Sequence, residues 1–310
     1  MGAVSAVYPS AVGRGTTGAV TGRQMDPEEL ITSALAKIEE GRHAAAVGDL
    51  DAAIRLDPDN PVAHNSLALA RVALGDFGGA VIAYESAIAL DPDDVDARIG
   101  CAHAHVELGN RSAAIEQLRV VLAGDDQNTQ ALALRASCYE RMGQHALAAR
   151  DLSELLKQEP EADTLRLRMA RSLARAELLK EAVEEFDRLL EALGPEPEVC
   201  YDRGVAHMRL GKLRHAVNDF SLTLDIEPEN CRALQNRGNC LLRLEMIEEA
   251  LLDYDRLIKL GDSAVARFNR GIIHRRLGNS NRARVDFSQA VALGGSGSIA
   301  NRARRYLQPD

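Results

Sequence analysis

From Pro27 onward, apolar and polar positions return in the same order every thirty-four residues, a self-similarity that marks a repeat architecture. Each stretch reads as two blocks with an apolar face at helical spacing, divided by a glycine. Small residues recur in one register at Ala46, Ala80, Ala114, Ala148, Ala182, Ala216, Ala250 and Ala283, as two closely approaching helices require. Gly41, Gly75, Gly109, Gly143, Gly211 and Gly278 fall where the first block must stop, because glycine enters the left-handed cap conformation without a Cβ penalty. Pro58, Pro92, Pro160 and Pro228 follow the second block, where a proline ends a helix. The pattern predicts eight helical hairpins beginning near Pro27, Pro61, Val95, Thr129, Asp163, Pro197, Cys231 and Ala264. The last step is one residue short.

The residues Leu67, Ala68, Gly75, Ala80, Tyr84, Ala87 and Pro92 of the second stretch resemble the tetratricopeptide repeat. Gly204, Gly211, Ala216, Phe220 and Pro228 of the sixth do so as well, and Gly238, Ala250 and Tyr254 of the seventh stand in register. The resemblance covers Pro27 to about Gly297. It implies an all-α fold: a right-handed α-solenoid of eight helix–turn–helix units spanning residues 27–297. A single unit cannot bury its own apolar face, so the ends need covering. Residues 298–310 supply that cover, with Ile299, Ala303 and Tyr306 or Leu307 on one face and Arg302, Arg304 and Arg305 turned to water. The fifth and seventh units carry Glu177 and Glu245 in place of the cap glycine, and the third and eighth lack the closing proline. Looser helix ends are expected there.

Residues 1–25 are rich in Gly, Ala, Ser and Thr, have no acidic residue before Asp26 and show no sustained period; disorder is expected. Gly13 to Gly18 spell G-x-G-x-x-G, but no strand precedes them and no βαβ unit surrounds them, so no dinucleotide site is expected. Arg14 and Arg23 in an acid-poor stretch give only thin support for a transit peptide.

Hydrophobic residues make up 46% of the chain, aromatics only 4%, and tryptophan is absent. The core must therefore be Ala, Leu, Val and Ile, which suits close-packed helices. The net charge of −9 argues against bulk attraction to nucleic acid or an acidic membrane. Apolar runs are too short to span a bilayer and no secretory signal opens the chain; a soluble, cytoplasmic protein is expected. Five scattered cysteines without a C-x-x-C pair suggest neither a disulfide framework nor a zinc site, and the eight histidines form no metal or catalytic set. No enzyme activity, cofactor or metal is expected.

In four units the seventh position is arginine: Arg135, Arg203, Arg237 and Arg270. Aspartate follows each sixteen residues later, at Asp151, Asp219, Asp253 and Asp286. A half-buried guanidinium needs a carboxylate, so these pairs are read as ties between the two helices of a unit.

In the family, first helices line a concave groove. By that resemblance the first three units present apolar residues and acids there, among them Ile31, Leu35, Val62, Leu69 and Ile99. The last five present Arg141, Arg171, Arg175, Arg209, Arg232, Arg243, Arg275 and Arg276, with Asn239 and Asn269. A basic lining suits an acidic segment, because guanidinium forks bind carboxylates in pairs. The expected function is a non-catalytic scaffold or adaptor holding a protein or peptide, with room for self-association. Two alternatives are a subunit of a ciliary or trafficking assembly and co-chaperone-like capture of an acidic C-terminus. For the latter, Asn239, Asn269 and Arg302 match parts of the family's clamp, while Gln235 and Ser298 or Ile299 replace its lysines. An RNA-reading helical repeat is less expected, since the inward residues drift from acidic to basic instead of repeating a code.

Overall fold

The computed structural model describes residues 26–308; the tail of residues 1–25 and the last two residues lie outside them. The described residues form seventeen helices and no strand. First helices of thirteen residues each are α1 (Pro27–Glu39), α3 (Pro61–Ala73), α5 (Val95–Glu107), α7 (Thr129–Arg141), α9 (Asp163–Arg175), α11 (Pro197–Arg209), α13 (Cys231–Arg243) and α15 (Ala264–Arg276). The second helices are α2 (His43–Leu56), α4 (Phe77–Leu90), α6 (Arg111–Gly124), α8 (His145–Gln158), α10 (Leu179–Leu193), α12 (Leu213–Ile226), α14 (Ile247–Leu260) and α16 (Ser280–Gly294). The short helix α17 (Ser298–Leu307) follows.

Six of the eight first helices start at a side-chain cap, whereas Ala162 and Glu196, before α9 and α11, make none. Asn60, Asp94, Asn128, Asn230 and Ser263 accept the backbone N–H of the alanine at the third helical position, Ala63, Ala97, Ala131, Ala233 and Ala266. Each such cap satisfies a donor the helix itself cannot. They stop at a left-handed residue with φ between 74° and 79° at the six glycines named above. Glu177 and Glu245 adopt the same conformation, with φ of 64° and 60°. Their helix ends are not looser: Leu178 N–H reaches Leu173 O at 3.0 Å and Met246 N–H reaches Leu241 O at 2.9 Å, as Gln144 N–H reaches Tyr139 O at 2.9 Å beside Gly143. The turn is over-determined by its hydrogen bonds, so the glutamates accept the strain.

The chain divides into two compact units, Met1–Ala97 and Arg98–Asp310. In the described part of the first, α1 to α4 pack in sequence around Leu30, Ala34, Ala46, Leu50, Ala63, Leu67 and Tyr84, all buried. Ile31, expected on the groove, is also buried here, whereas Leu35, Val62 and Leu69 are exposed. In the last three repeats of the second unit an aromatic side chain at the twenty-fourth position packs on the glycine at the eighth. A Cβ added at Gly204, Gly238 or Gly271 would lie only 2.8, 2.9 or 2.7 Å from the ring of Phe220, Tyr254 or Phe287. Glycine there lets a full aromatic ring enter between the paired helices. Ile99 is buried in this unit's core and does not line a groove.

First helices of successive repeats touch, α1 with α3 in the first unit and α9 with α11 and α11 with α13 in the second, and α15 touches α17. Second helices approach one another less closely. This is the side that the family resemblance makes the inner face.

Candidate partner-binding surface

The four seventh-position arginines lie half-buried against fully buried carboxylates. Arg135 Nε and Nη2 donate to Asp151 at 2.8 and 2.7 Å, and Arg237 to Asp253 at 2.9 and 2.6 Å. Arg270 donates to Asp286 at 2.8 and 2.7 Å, and Arg203 Nη2 to Asp219 at 2.6 Å. Three of them use the remaining Nη1 on the preceding repeat: Arg203 on Asp187 at 2.7 Å, Arg237 on Ser221 Oγ at 3.0 Å and Arg270 on Asp255 at 2.7 Å. Each thereby joins three helices. The carboxylates raise the pKa of Arg135 and Arg270 above the ordinary arginine value.

Two further sets of contacts to the same carboxylate position were not expected. Nineteen residues separate Arg166 from Glu185, paired at 2.9 Å, and Arg267 from Asp286, at 3.2 Å; Arg98 donates to Gln117 at the same spacing, at 3.0 Å. Four residues after the seventh position, Lys37 pairs with Asp49 beside Ser33, and His207 Nδ1 lies 2.9 Å from Asp219. Helical periodicity was the available signal, since residues three before and four after position seven share its face.

The inner-face arginines divide sharply. Arg171 pairs with Asp202 and Glu198, both at 2.6 Å. Arg209 pairs with Glu177 and donates to Ala174 O at 2.8 Å, and Arg276 pairs with Glu245 at 2.9 Å. These three are committed to neighbouring repeats rather than presented freely. Asn239 and Asn269 meet at the Tyr254 hydroxyl, which donates to Asn239 Oδ1 at 2.7 Å and accepts from Asn269 Nδ2 at 3.0 Å. Arg141, Arg175 and Arg243 are exposed and have no ion-pair or hydrogen-bond partner among the described residues. All three occupy the thirteenth position of their repeats. Arg232 lies over the Tyr201 ring at 4.9 Å and Arg275 over the Tyr306 ring at 5.1 Å; a guanidinium so placed keeps its in-plane donors available.

A cap residue decides which thirteenth-position arginine is free. Where the preceding repeat ends its first helix on Gly143 or Gly211, Arg175 and Arg243 are unpaired; where it ends on Glu177 or Glu245, Arg209 and Arg276 are held. Arg302 and Arg304, expected to face water, also make protein contacts. Arg302 lies 4.6 Å over the Phe268 ring, and Arg304 donates to Gly295 O at 2.6 Å.

Cys101, Cys138, Cys200 and Cys240 are buried and Cys231 is exposed. Burial pushes the Cys240 thiol up to about 11, which keeps it protonated and unreactive near neutrality. No group of three or more His, Cys, Asp or Glu side chains that could hold a metal ion occurs among the described residues. No described helix is long and apolar enough to cross a membrane.

Helical hairpins stacked in sequence, with side-chain ties between successive units, define an all-α solenoid of the interaction-scaffold class. Models of the tetratricopeptide repeat match residues 31–95, 139–197 and 201–265, and a second such model matches 71–138. The chain belongs to the tetratricopeptide repeat family, whose members generally act as protein–protein interaction scaffolds and typically without catalysis. It is 29% identical over 127 residues to human tetratricopeptide repeat protein 6, covering 40% of this chain and 24% of that protein. Over 81 residues it is 31% identical to human sperm-associated antigen 1, covering 26% of this chain and 9% of that protein. The match thus spans a quarter or less of these relatives. Among solved structures, the Naa15/Naa10 complex bound to HypK-THB aligns with a TM-score of 0.66 at 14% identity, over 92% of this chain and 44% of that one. The type IV pilus biogenesis factor PilW aligns at 0.52 and 16% identity, over 68% and 99%.

Proposed function

We propose that the chain is a non-catalytic adaptor that holds an acidic protein segment on the inner face of its Arg98–Asp310 unit. The observation that carries this reading is the row of exposed, unpaired arginines at the thirteenth position, Arg141, Arg175 and Arg243. Arg232 and Arg275, steadied on tyrosine rings, extend the same charge. A guanidinium fork pairs a carboxylate through two parallel hydrogen bonds, and a row of forks at one repeat position suits carboxylates spaced along an extended chain. Capture of an acidic C-terminus by the family's clamp is the weaker reading, because Asn239 and Asn269 are engaged at Tyr254.

The test is fluorescence anisotropy with a labelled Asp/Glu-rich peptide and a neutral control of the same length. Arg175→Glu/Arg243→Glu should weaken the acidic peptide about tenfold or more, since each lost charge-assisted pair contributes about 1.5 to 3 kcal/mol. Equal binding by wild type and variant, with unchanged circular dichroism, would refute the reading.

A further inference from the structure

Residues 264–308 contain nine arginines and a single carboxylate, Asp286, in a chain whose net charge is −9. Four of the nine are committed. Arg267 and Arg270 bind Asp286, Arg276 binds Glu245 and Arg304 donates to Gly295 O. The other five, Arg275, Arg282, Arg284, Arg302 and Arg305, have no ion pair or hydrogen bond among the described residues; Arg275 and Arg302 lie over the Tyr306 and Phe268 rings. Three of these five line one cavity of about 490 Å³ formed by α15, α16 and α17. No carboxylate among the described residues lines it.

The cavity is furnished as well as charged. Arg275 lies 5.1 Å over the Tyr306 ring, which itself stacks on buried Phe287 at 4.9 Å and 22°. That stack fixes the Arg275 fork while leaving its in-plane N–H groups unused. The side-chain hydroxyls of Ser280 and Tyr306 add two donors, neither engaged in a hydrogen bond among the described residues.

We propose that this cavity binds a phosphomonoester dianion. Three guanidinium groups with no counter-charge among the described residues call for more than one negative charge, and a carboxylate brings only one. A phosphomonoester carries about −1.5 to −2 charges near neutrality and three strong acceptor oxygens, enough to receive a fork from each arginine and a hydroxyl besides. Such arginine clusters are a recurrent mode of phosphate recognition. Arg275 is shared with the inner face, but Arg284 and Arg305 belong to the second helix and the cap, outside that face, so substitutions at these two report on the cavity alone.

The test titrates the full chain calorimetrically with a phosphoserine peptide, its unphosphorylated twin, inorganic phosphate and a single-stranded oligonucleotide. Saturable binding of the phosphoserine peptide but not its twin is expected. Arg284→Ala/Arg305→Ala should weaken it about tenfold or more, whereas Arg175→Glu/Arg243→Glu leaves it unchanged. Arg284→Lys/Arg305→Lys, which keeps the charge and loses the forks, should fall between. If inorganic phosphate binds as tightly as the peptide and responds to the same substitutions, the dianion site stands and its occupant is the free ion. Absence of saturable binding, binding that survives Arg284→Ala/Arg305→Ala in a chain of unchanged helicity, or binding confined to the oligonucleotide would overturn the proposal.

Discussion

Glu245 holds a left-handed backbone conformation, φ 60°, and its carboxylate pairs with Arg276 of the following repeat at 2.9 Å. Glu177 and Arg209 repeat the arrangement two units earlier in the chain. A non-glycine residue in this conformation costs about 1 kcal/mol, and an exposed ion pair returns at most about that much.

Replacing these glutamates with the glycine found in six other repeats should therefore stabilise the protein. Glu177→Gly/Glu245→Gly removes two strained residues and two exposed pairs, and a net gain of about 1 kcal/mol is expected. Urea unfolding measures it. The same variant frees Arg209 and Arg276, so an acidic peptide on the inner face should bind more tightly. Lower stability would mean the ion pairs outweigh the strain.

The cross-helix pairs should behave as matched sets. Arg237→Leu leaves Asp253, only 3% exposed, without its countercharge, and a loss of about 3 kcal/mol is expected. Arg237→Leu/Asp253→Ala should recover most of it, because the second repeat already carries Leu67 and Ala83 in these places. If the double variant is no more stable than the single one, the pair contributes through the arginine's contact with Ser221 instead.

His274 predicts a dependence on pH. Its ring is buried, and burial holds its pKa below the ordinary 6.5; Arg270 and Arg282 act in the same direction, while Asp286 and Asp255 oppose them. The folded protein thus keeps the ring neutral at a pH where the unfolded chain takes up a proton. This contribution to stability is complete above pH 6.5 and is lost as pH falls below it. The urea midpoint should decline between about pH 7 and 5 by more in wild type than in His274→Gln. The His274 ring resonance should titrate below 6.5, and titration above that value would contradict the assignment.

Much of this fold is legible in the chain itself. The thirty-four-residue period, the glycines that close the first helices and the sixteen-residue spacing of Arg203 and Asp219 are relations within one repeat. Helical periodicity and backbone stereochemistry set such relations without reference to the rest of the molecule. The same is true of the eighth-position glycines, whose missing Cβ admits Phe220, Tyr254 and Phe287.

What only the tertiary structure decides is which charges remain available. Arg175 and Arg209 occupy the same position in successive first helices, yet one is free and the other is held by Glu177, thirty-two residues before it. Arg171 is likewise taken by Asp202 from the next repeat, and Arg275, Arg284 and Arg305 come together only because α17 folds back on the last hairpin. Those meetings depend on how one hairpin docks on the next, and the packing of whole helices sets that docking, so no spacing inside a single repeat encodes it.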